Sequence, residues 1–177
     1  MNQVVVLFGS NIDKERNLPA AVQLLREFCR VVALSPVYET APVGLRQQPN
    51  FLNVAALVKT DLGPEDLKAQ VLSIIETRLH RVRTTDKNAP RTIDADIILF
   101  NDTAQEWVSD RQLPDPDLEE FPHVAVPVAD LLPHAAHPAT GEPLPALAKR
   151  LMAAATAQNE DRPMLWPRPD MDEILKR

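Results

Sequence analysis

Two aspartates separated by a single residue, Asp94 and Asp96, are the side chains of this sequence best suited to chemistry. They lie in residues 90–100 (PRTIDADIILF), where apolar residues alternate as in a strand. The alternation predicts two faces, with Thr92, Asp94, Asp96 and Ile98 on one and Ile93, Ala95, Ile97 and Leu99 on the other. The two carboxylates then point the same way, about 7 Å apart along the strand. Because neighbouring carboxylates repel each other without a cation and Mg²⁺ prefers hard oxygen ligands, the pair predicts a magnesium site.

Basic residues flank this acidic pair. Arg81, Arg83 and Lys87 precede it, and Arg91 comes directly before the predicted strand. Arginine binds phosphate oxygens through two parallel hydrogen bonds, so a metal, phosphate and several arginines together indicate phosphoryl chemistry. The alternative is that the two aspartates form the solvent-facing side of an ordinary edge strand. The three arginines and the rigid Pro90 favour the functional interpretation.

The elements that must position these residues can be predicted from apolar periodicity. Strands are expected at residues 4–8, 31–34, 51–59 and 90–100, and helices at residues 17–28, where Asn17 is the expected cap, and 63–80. Residues 37–49 are expected to form a long loop, residues 107–121 a second loop, and residues 144–157 a final helix. The order strand, helix, strand, strand, helix, strand predicts an α+β fold with helices on one side of the sheet, of the split βαβ type.

Composition limits the classes of function. The chain has 177 residues, 19 Lys and Arg against 25 Asp and Glu, and a net charge of −6. Such an acidic chain is a poor candidate for binding nucleic acid. We predict one domain over residues 1–157 and a tail over 158–177, docked or partly disordered. An apolar run at residues 4–8 without a basic prelude predicts neither a signal peptide nor a membrane span, so we expect a cytoplasmic monomer that does not bind membranes.

Two polar features leave alternatives open or predict no site. Asn53 stands in an otherwise apolar strand, and it either recognises a ligand or bonds to nearby backbone at the strand end. His134 and His137 are bracketed by prolines outside any firm helix, so they do not predict a metal site. The single Cys29 excludes an internal disulfide and a cysteine-based zinc site.

Five motifs occur in the order seen in one enzyme family. They are GSN at 9–11, YETAPVG at 38–44, QPNFLN at 48–53, RVR at 81–83 and PRTIDADI at 90–97. Over residues 1–140 the chain resembles the 6-hydroxymethyl-7,8-dihydropterin pyrophosphokinases of folate biosynthesis. The resemblance implies a ferredoxin-like α+β sandwich, with a mixed or antiparallel sheet and a helical C-terminal extension. It also implies transfer of the terminal diphosphate of ATP to the hydroxymethyl group of a reduced pterin, with release of AMP.

The resemblance also implies roles for particular residues. Asp94 and Asp96 would hold two Mg²⁺ ions that bridge the phosphates of ATP. The residues that would bind phosphate are Arg81, Arg83 and Arg91. The residues that match pterin-pocket positions are Thr40, Val43, Phe51 and Asn53. The implied partners are small molecules, ATP and the reduced pterin.

Several positions depart from the family pattern. Asp115 replaces a histidine expected beside the nucleotide, and Phe121 and His123 stand where an arginine and a phenylalanine are usual. His80 replaces a common glycine before the arginine pair, and Asn88 replaces a common tryptophan. An acid placed against a triphosphate is repulsive. These departures leave open an alternative, a paralogue that binds a pterin or a nucleotide with weak or no transferase activity.

Overall fold

The computed structural model of the protein describes residues 1–44, 47–86, 88–104, 106–108, 111–158 and 165–176. The strands are β1 Asn2–Ser10, β2 Arg30–Leu34, β3 Tyr38–Thr40, β4 Phe51–Thr60, β5 Asp94–Phe100, β6 Glu106–Val108, β7 Arg111–Leu113 and β8 Leu165–Pro167. The helices are α1 Lys14–Phe28, α2 Pro64–Leu67, α3 Ser73–Arg78, α4 Asp117–Glu120, α5 Pro122–Leu131, α6 Leu144–Gln158 and α7 Pro169–Leu175, with a π-helical turn, Lys68–Leu72, between α2 and α3. Within this described part, no helix combines the length and apolar character that crossing a membrane requires.

The main sheet has the order β5-β1-β4-β3-β8, and β2 pairs with the second half of β4. Each of these pairs is antiparallel. The hairpin β6–β7 forms a separate small sheet. This order of strands, with α1 after β1 and α2–α3 after β4, confirms the prediction of a ferredoxin-like α+β fold.

Helices cover both faces of the sheet, whereas the sequence predicted cover on one side. On one face the strand residues Val4, Val6 and Phe8 pack with residues of α1, α3 and α7, including Leu18, Val22, Leu25, Ile75 and Met171. On the other face Val5, Ala55 and Leu57 pack with residues of α5 and α6, including Val124, Val128, Leu147 and Leu151. Residues 4–8 are apolar at every position, so both faces of this strand require cover.

Three local features differ from the expectations. Helix α1 begins at Lys14 after Asp13, so Asn17 does not cap it; its Nδ2 instead donates to the Ile12 carbonyl. The predicted loop at 107–121 contains β6, β7 and α4, because three-residue strands are too short to show a period in sequence. The register between β1 and β5 shifts between Val5 and Val6. Leu99 therefore lies in the same hydrophobic cluster as Ile98, whereas the alternation predicted opposite faces for these two residues.

The predicted tail contains two ordered elements. Strand β8 pairs with β3, and α7 places Met171 and Leu175 in the core beside α1. Residues 159–164 and Arg177 of that tail lie outside the described residues, as do Leu45 and Arg46 of the predicted loop at 37–49 and Lys87 of the basic segment.

Candidate active site

Residues that the sequence singled out from three motifs meet in one row across the sheet. Gly9 of β1 lies opposite Asn53 of β4 on one side and opposite Asp94 of β5 on the other. Directly opposed residues of antiparallel strands share a face, so the amide and the carboxylate point the same way. Strands lie about 4.8 Å apart, so Asn53 and Asp94 are separated by about 10 Å across β1. This row forms the floor of the candidate active site.

Gly9 keeps that floor clear. A Cβ atom at this position would lie 3.3 Å from the Asn53 Oδ1, which is tighter than ordinary packing. The absence of a side chain therefore leaves space between the amide and the carboxylate for a flat or extended ligand. This is the physical reason for glycine in the motif at 9–11.

Ser10 and Asn11, the rest of that motif, hold the segment that leads into β5. The Ser10 hydroxyl donates to the Thr92 carbonyl at 2.6 Å, and Asn11 Oδ1 accepts from the Arg91 backbone N–H at 2.8 Å. Asn11 Nδ2 donates to Gln48 Oε1 at 2.8 Å, and the Gln48 amide donates to the Asn88 carbonyl at 2.8 Å. The two loops that flank the site are thus tied to each other and to β1.

Asp94 lies between two arginines. Arg91 Nη1 makes a close ion pair with Asp94 Oδ2, and Arg81 Nη2 lies 3.8 Å from Asp94 Oδ1. Burial alone would raise the pKa of the Asp94 carboxyl, but the charges of Arg91 and Arg81 outweigh it and hold that pKa below its usual range. Asp94 is therefore ionised and keeps its charge at neutral pH.

Asp96 has different cationic partners, which the sequence analysis missed. Lys68 Nζ, on the π-helical turn, lies 3.3 Å from Asp96 Oδ1 and donates to the Ala95 carbonyl at 2.6 Å. Arg111 Nη1, on β7, lies 3.6 Å from Asp96 Oδ2. Burial and the neighbouring Asp94 charge raise the pKa of Asp96. A cation bound nearby would therefore stabilise the ionised form of Asp96, whereas the two arginines already stabilise that of Asp94.

The two carboxylates fit a magnesium site that ligand phosphates complete. Both side chains keep about a quarter of their surface exposed, 25% for Asp94 and 24% for Asp96. Among the described residues, no group of three or more His, Cys, Asp or Glu side chains is gathered for a metal. Mg²⁺ commonly takes one or two protein carboxylates and fills its octahedron with phosphate oxygens and water. A site with two carboxylates is consistent with this coordination of Mg²⁺.

The three predicted arginines occupy different environments. Arg83 is exposed and donates to Glu76 Oε2 at 2.8 Å, and the Glu76 charge raises the pKa of Arg83. Arg81 is largely buried, which lowers the pKa of its guanidinium, and among the described residues its Nε–H has no hydrogen-bond partner. Such an unsatisfied buried donor is costly unless a ligand accepts from it. The Arg91 guanidinium lies over the Phe51 ring, 5.9 Å from its centroid. Arg91 therefore contacts Asp94 on β5 and the aromatic side chain at the start of β4.

At the other end of the floor the polar groups are neutral. Asn53 Nδ2 donates to the Thr40 hydroxyl at 2.9 Å, and both residues are buried. The same Nδ2 lies 3.5 Å from the Tyr38 carbonyl, while Oδ1 lies over Gly9. The amide is therefore held by its neighbours, as the interpretation of Asn53 as a backbone-bonded residue predicts, and its oxygen faces the floor. Phe51 is half-buried, and Val43 is exposed on the loop after β3.

The unusual acid at 115 is not a free carboxylate. Asp115 is buried, its Oδ2 lies 2.9 Å from Arg111 Nε, and its Oδ1 accepts from the Asp117 backbone N–H. Burial raises the pKa of Asp115 to about 6, against the opposing charge of Arg111. The repulsion expected between this residue and a triphosphate is therefore largely neutralised within the protein. Phe121 and His123 stack on each other, with ring centroids 5.3 Å apart.

Comparison with known proteins identifies the family. The sequence model of the 7,8-dihydro-6-hydroxymethylpterin-pyrophosphokinase (HPPK) family matches residues 5–133. The chain belongs to the HPPK family. This confirms the resemblance that the five motifs carry.

Relatives of two kinds match this HPPK chain. The Bacillus subtilis 2-amino-4-hydroxy-6-hydroxymethyldihydropteridine pyrophosphokinase is 39% identical over 137 residues, which cover 74% of this chain and 79% of that protein. The Aquifex aeolicus protein of the same name is 33% identical over 147 residues, covering 81% and 89% of the two chains. A folic acid synthesis protein of Dictyostelium discoideum is 37% identical over 138 residues, which cover 77% of this chain. The match spans only 20% of that longer relative.

Solved structures agree with the fold. An HPPK-DHPS chain of Plasmodium falciparum, crystallised with STZ-DHP, matches with a TM-score of 0.74 at 12% identity. The match covers 94% of this HPPK chain and 48% of the Plasmodium chain. A match over 94% of the chain is longer than residues 1–133, so it includes some residues beyond the part that the family model matches.

Proposed function

We propose that this protein transfers the terminal diphosphate of ATP to the hydroxymethyl group of 6-hydroxymethyl-7,8-dihydropterin and releases AMP, a step of folate biosynthesis. The observation that carries the proposal is the row Asn53, Gly9 and Asp94. This row places a neutral end on β4 and a charged end on β5, and Gly9 of β1 leaves the space between them open. A ring can lie at the first end and a polyphosphate at the second. The hydroxyl and the β-phosphorus then meet over β1.

At the charged end, Asp94 and Asp96 would hold two Mg²⁺ ions. When bound, these ions neutralise phosphate charge and polarise the β-phosphorus toward attack. The hydroxyl oxygen of the pterin would form a bond to that phosphorus and release its proton to water, while the bond between the phosphorus and the α-phosphate oxygen breaks and AMP leaves. Arg81, Arg83 and Arg91 would bind the phosphates and stabilise the charge that moves to the leaving oxygen. Within the described part of the chain the buried Nε–H of Arg81 has no hydrogen-bond partner, and a phosphate oxygen would satisfy it.

At the neutral end, Thr40 and Asn53 would read the donor and acceptor pattern of the pterin, with Asn53 Oδ1 as an acceptor on the floor. Phe51 would stack on the ring, and Val43 would cover it from the loop. Fixed hydrogen-bonding groups bind a ring whose donors and acceptors match them and reject a ring whose pattern differs. This end would therefore determine which molecule receives the diphosphate.

The paralogue without transferase activity is the weaker candidate. Its support was Asp115, Phe121 and His123, and the 2.9 Å ion pair with Arg111 compensates the charge of the first of these. ATP is the co-substrate of the HPPK family, and small molecules are its substrates. The number of metal ions, the monomeric state and the cytoplasmic location remain predictions from the sequence.

The test is AMP formation from ATP and Mg²⁺, with and without 6-hydroxymethyl-7,8-dihydropterin. We expect AMP only when the pterin is present, and we expect Asp94→Asn to abolish it. The matched control is Asp102→Asn, an exposed acid in the turn after β5, which should leave the rate unchanged. Pterin binding by titration without AMP formation would contradict the proposal and support the paralogue.

A further inference from the structure

A cluster of charged side chains joins the C-terminal segment, residues 165–176, to β3, the strand that carries Thr40. Glu39, the central residue of β3, accepts from Arg168 Nη1 at 2.6 Å and from Lys14 Nζ at 2.8 Å. Arg168 precedes α7, and Lys14 is the first residue of α1. All three side chains are largely buried, with 14–23% of their surface exposed. Such pairs resist solvent screening better than surface pairs do.

The same cations also hold the start of β4. Besides pairing with Glu39, Lys14 Nζ donates to the Asn50 carbonyl at 2.9 Å, directly before Phe51. The bridge therefore runs from Arg168 through Glu39 and Lys14 to the backbone that presents Phe51. It connects the C-terminal segment to both strands of the neutral end of the site.

Backbone contacts fix the other end of β3. The Arg168 backbone N–H donates to the Val37 carbonyl at 2.8 Å, and the Val37 N–H donates to Asp172 Oδ1 at 2.7 Å. Within β3 itself, Thr40 pairs with Leu165 of β8. A strand of three residues has few ladder bonds of its own, so its position depends on what lies on either side of it.

We infer that Arg168 is a positioning residue for the pterin pocket and that the C-terminal segment sets the geometry in which Thr40 meets Asn53. This inference rests on the proposed function. Arg168 touches neither substrate; it acts through Glu39 and Lys14. Arg168 lies beyond residues 5–133, where the HPPK family model matches, whereas Glu39 and Lys14 lie within them, so the bridge joins the matched part of the chain to the segment that follows it.

The test compares Arg168→Met with Arg150→Met. Arg150 of α6 makes an exposed ion pair with Glu142 at 2.9 Å, so its variant loses an arginine and an ion pair away from the pocket. We expect Arg168→Met to weaken pterin binding, measured by titration, and to raise the KM for pterin by about tenfold, because a charge-assisted hydrogen bond is lost. The KM for ATP should change little. Arg150→Met should change neither value.

Two further variants separate positioning from general loss of structure. Glu39→Gln should weaken pterin binding by a similar factor, and the double variant should be no worse than either single one, because both remove the Arg168–Glu39 ion pair. Another pair of Arg168, with the exposed Asp170, does not reach β3. Arg168→Lys, which retains a charge, should recover part of the affinity. A merely structural role predicts equal losses for pterin and ATP and no recovery with lysine, and that result would overturn the inference.

The outcomes for the inference and for the proposed function are distinguishable. If the unaltered protein forms AMP and Arg168→Met binds pterin normally, the inference is wrong and the proposed function stands. If the unaltered protein neither binds pterin nor forms AMP, both are wrong. If it binds pterin without forming AMP and Arg168→Met weakens that binding selectively, the positioning role stands without the transfer reaction.

Discussion

The two ends of the candidate site are built from opposite kinds of interaction. On β5, Asp94 and Asp96 are surrounded by four cations from three separate segments, and the pKa values of the two acids move in opposite directions. On β3 and β4, the Thr40 and Asn53 side chains form a neutral hydrogen bond with no ion pair between them. One end depends on charge balance and the other on the relative placement of two strands.

Because of this difference, the two ends should lose function for different reasons when a residue is substituted. A charge-balanced end loses function when a charge is removed, even if the shape is kept, because the remaining partners are left uncompensated. A neutral end loses function when its hydrogen-bond geometry shifts, even if every group is retained. The two ends should therefore respond to different substitutions, and each substrate should report on one of them.

Of the changes that compare the two ends, Asp96→Asn should have the largest effect, because it preserves volume and removes one metal-ligating charge. We expect AMP formation to fall by about 100-fold or more, because the substitution weakens electrostatic stabilisation of the phosphates. Pterin binding, measured by titration, should be unchanged. A comparable loss of pterin affinity would break the division between the two ends.

Asn53→Ala is the corresponding change at the neutral end. It removes the hydrogen bond to Thr40 and the acceptor over Gly9, so we expect pterin affinity to fall by about 10- to 100-fold. Steady-state kinetics should give a KM for ATP within about twofold of the original. If both KM values rise together, the substrates are coupled through the floor and the ends do not act separately.

Asp115→Asn tests whether the charged end carries a cost in stability. Burial raises the pKa of Asp115 from 3.8 to about 6 in the folded protein, so the folded state binds this proton more tightly than the unfolded state does. The free energy of unfolding should therefore decrease as pH rises from about 4 to about 6, by an amount on the order of 2 kcal/mol. Urea denaturation across this range should show a smaller decrease for Asp115→Asn. An identical pH dependence in the two proteins would mean that the Arg111 charge cancels the cost of burial.

The smallest effect is expected from a change outside both ends. His80, in the turn that leads to Arg81, has a φ of 58°, a left-handed conformation that glycine adopts without strain. We expect His80→Gly to increase the free energy of unfolding by about 0.5 kcal/mol, after the extra entropy of glycine in the unfolded chain is counted. His80→Ala keeps the Cβ atom and should give no such gain in urea denaturation. Neither variant should alter the KM for ATP or pterin, since neither touches the floor.

The sequence predicted the fold and the proximity of Arg81 and Arg91 to Asp94, but not the partners of Asp96. The strands around Val4, Phe51 and Asp94 are long enough to show a period, and residue type alone marks an acidic pair with arginines. Lys68 and Arg111 were missed because their contacts with Asp96 form only after distant segments meet, and Arg111 lies on a three-residue strand within a predicted loop. The cover on both faces was missed because periodicity identifies an apolar face but not the helix that will pack on it.

The π-helical turn at Lys68–Leu72 sets the direction in which the residues after it face. A π-helical turn contains more residues than an α-helical turn does, so it accommodates an extra residue while the helix on either side keeps its facing. A uniform α-helical period counted from Pro64 therefore places Glu76 about one residue, or about 100°, away from the direction that it takes in the structure. Because Glu76 accepts from Arg83 and from the Ala95 backbone N–H, the extra residue directs this carboxylate toward the basic segment and β5.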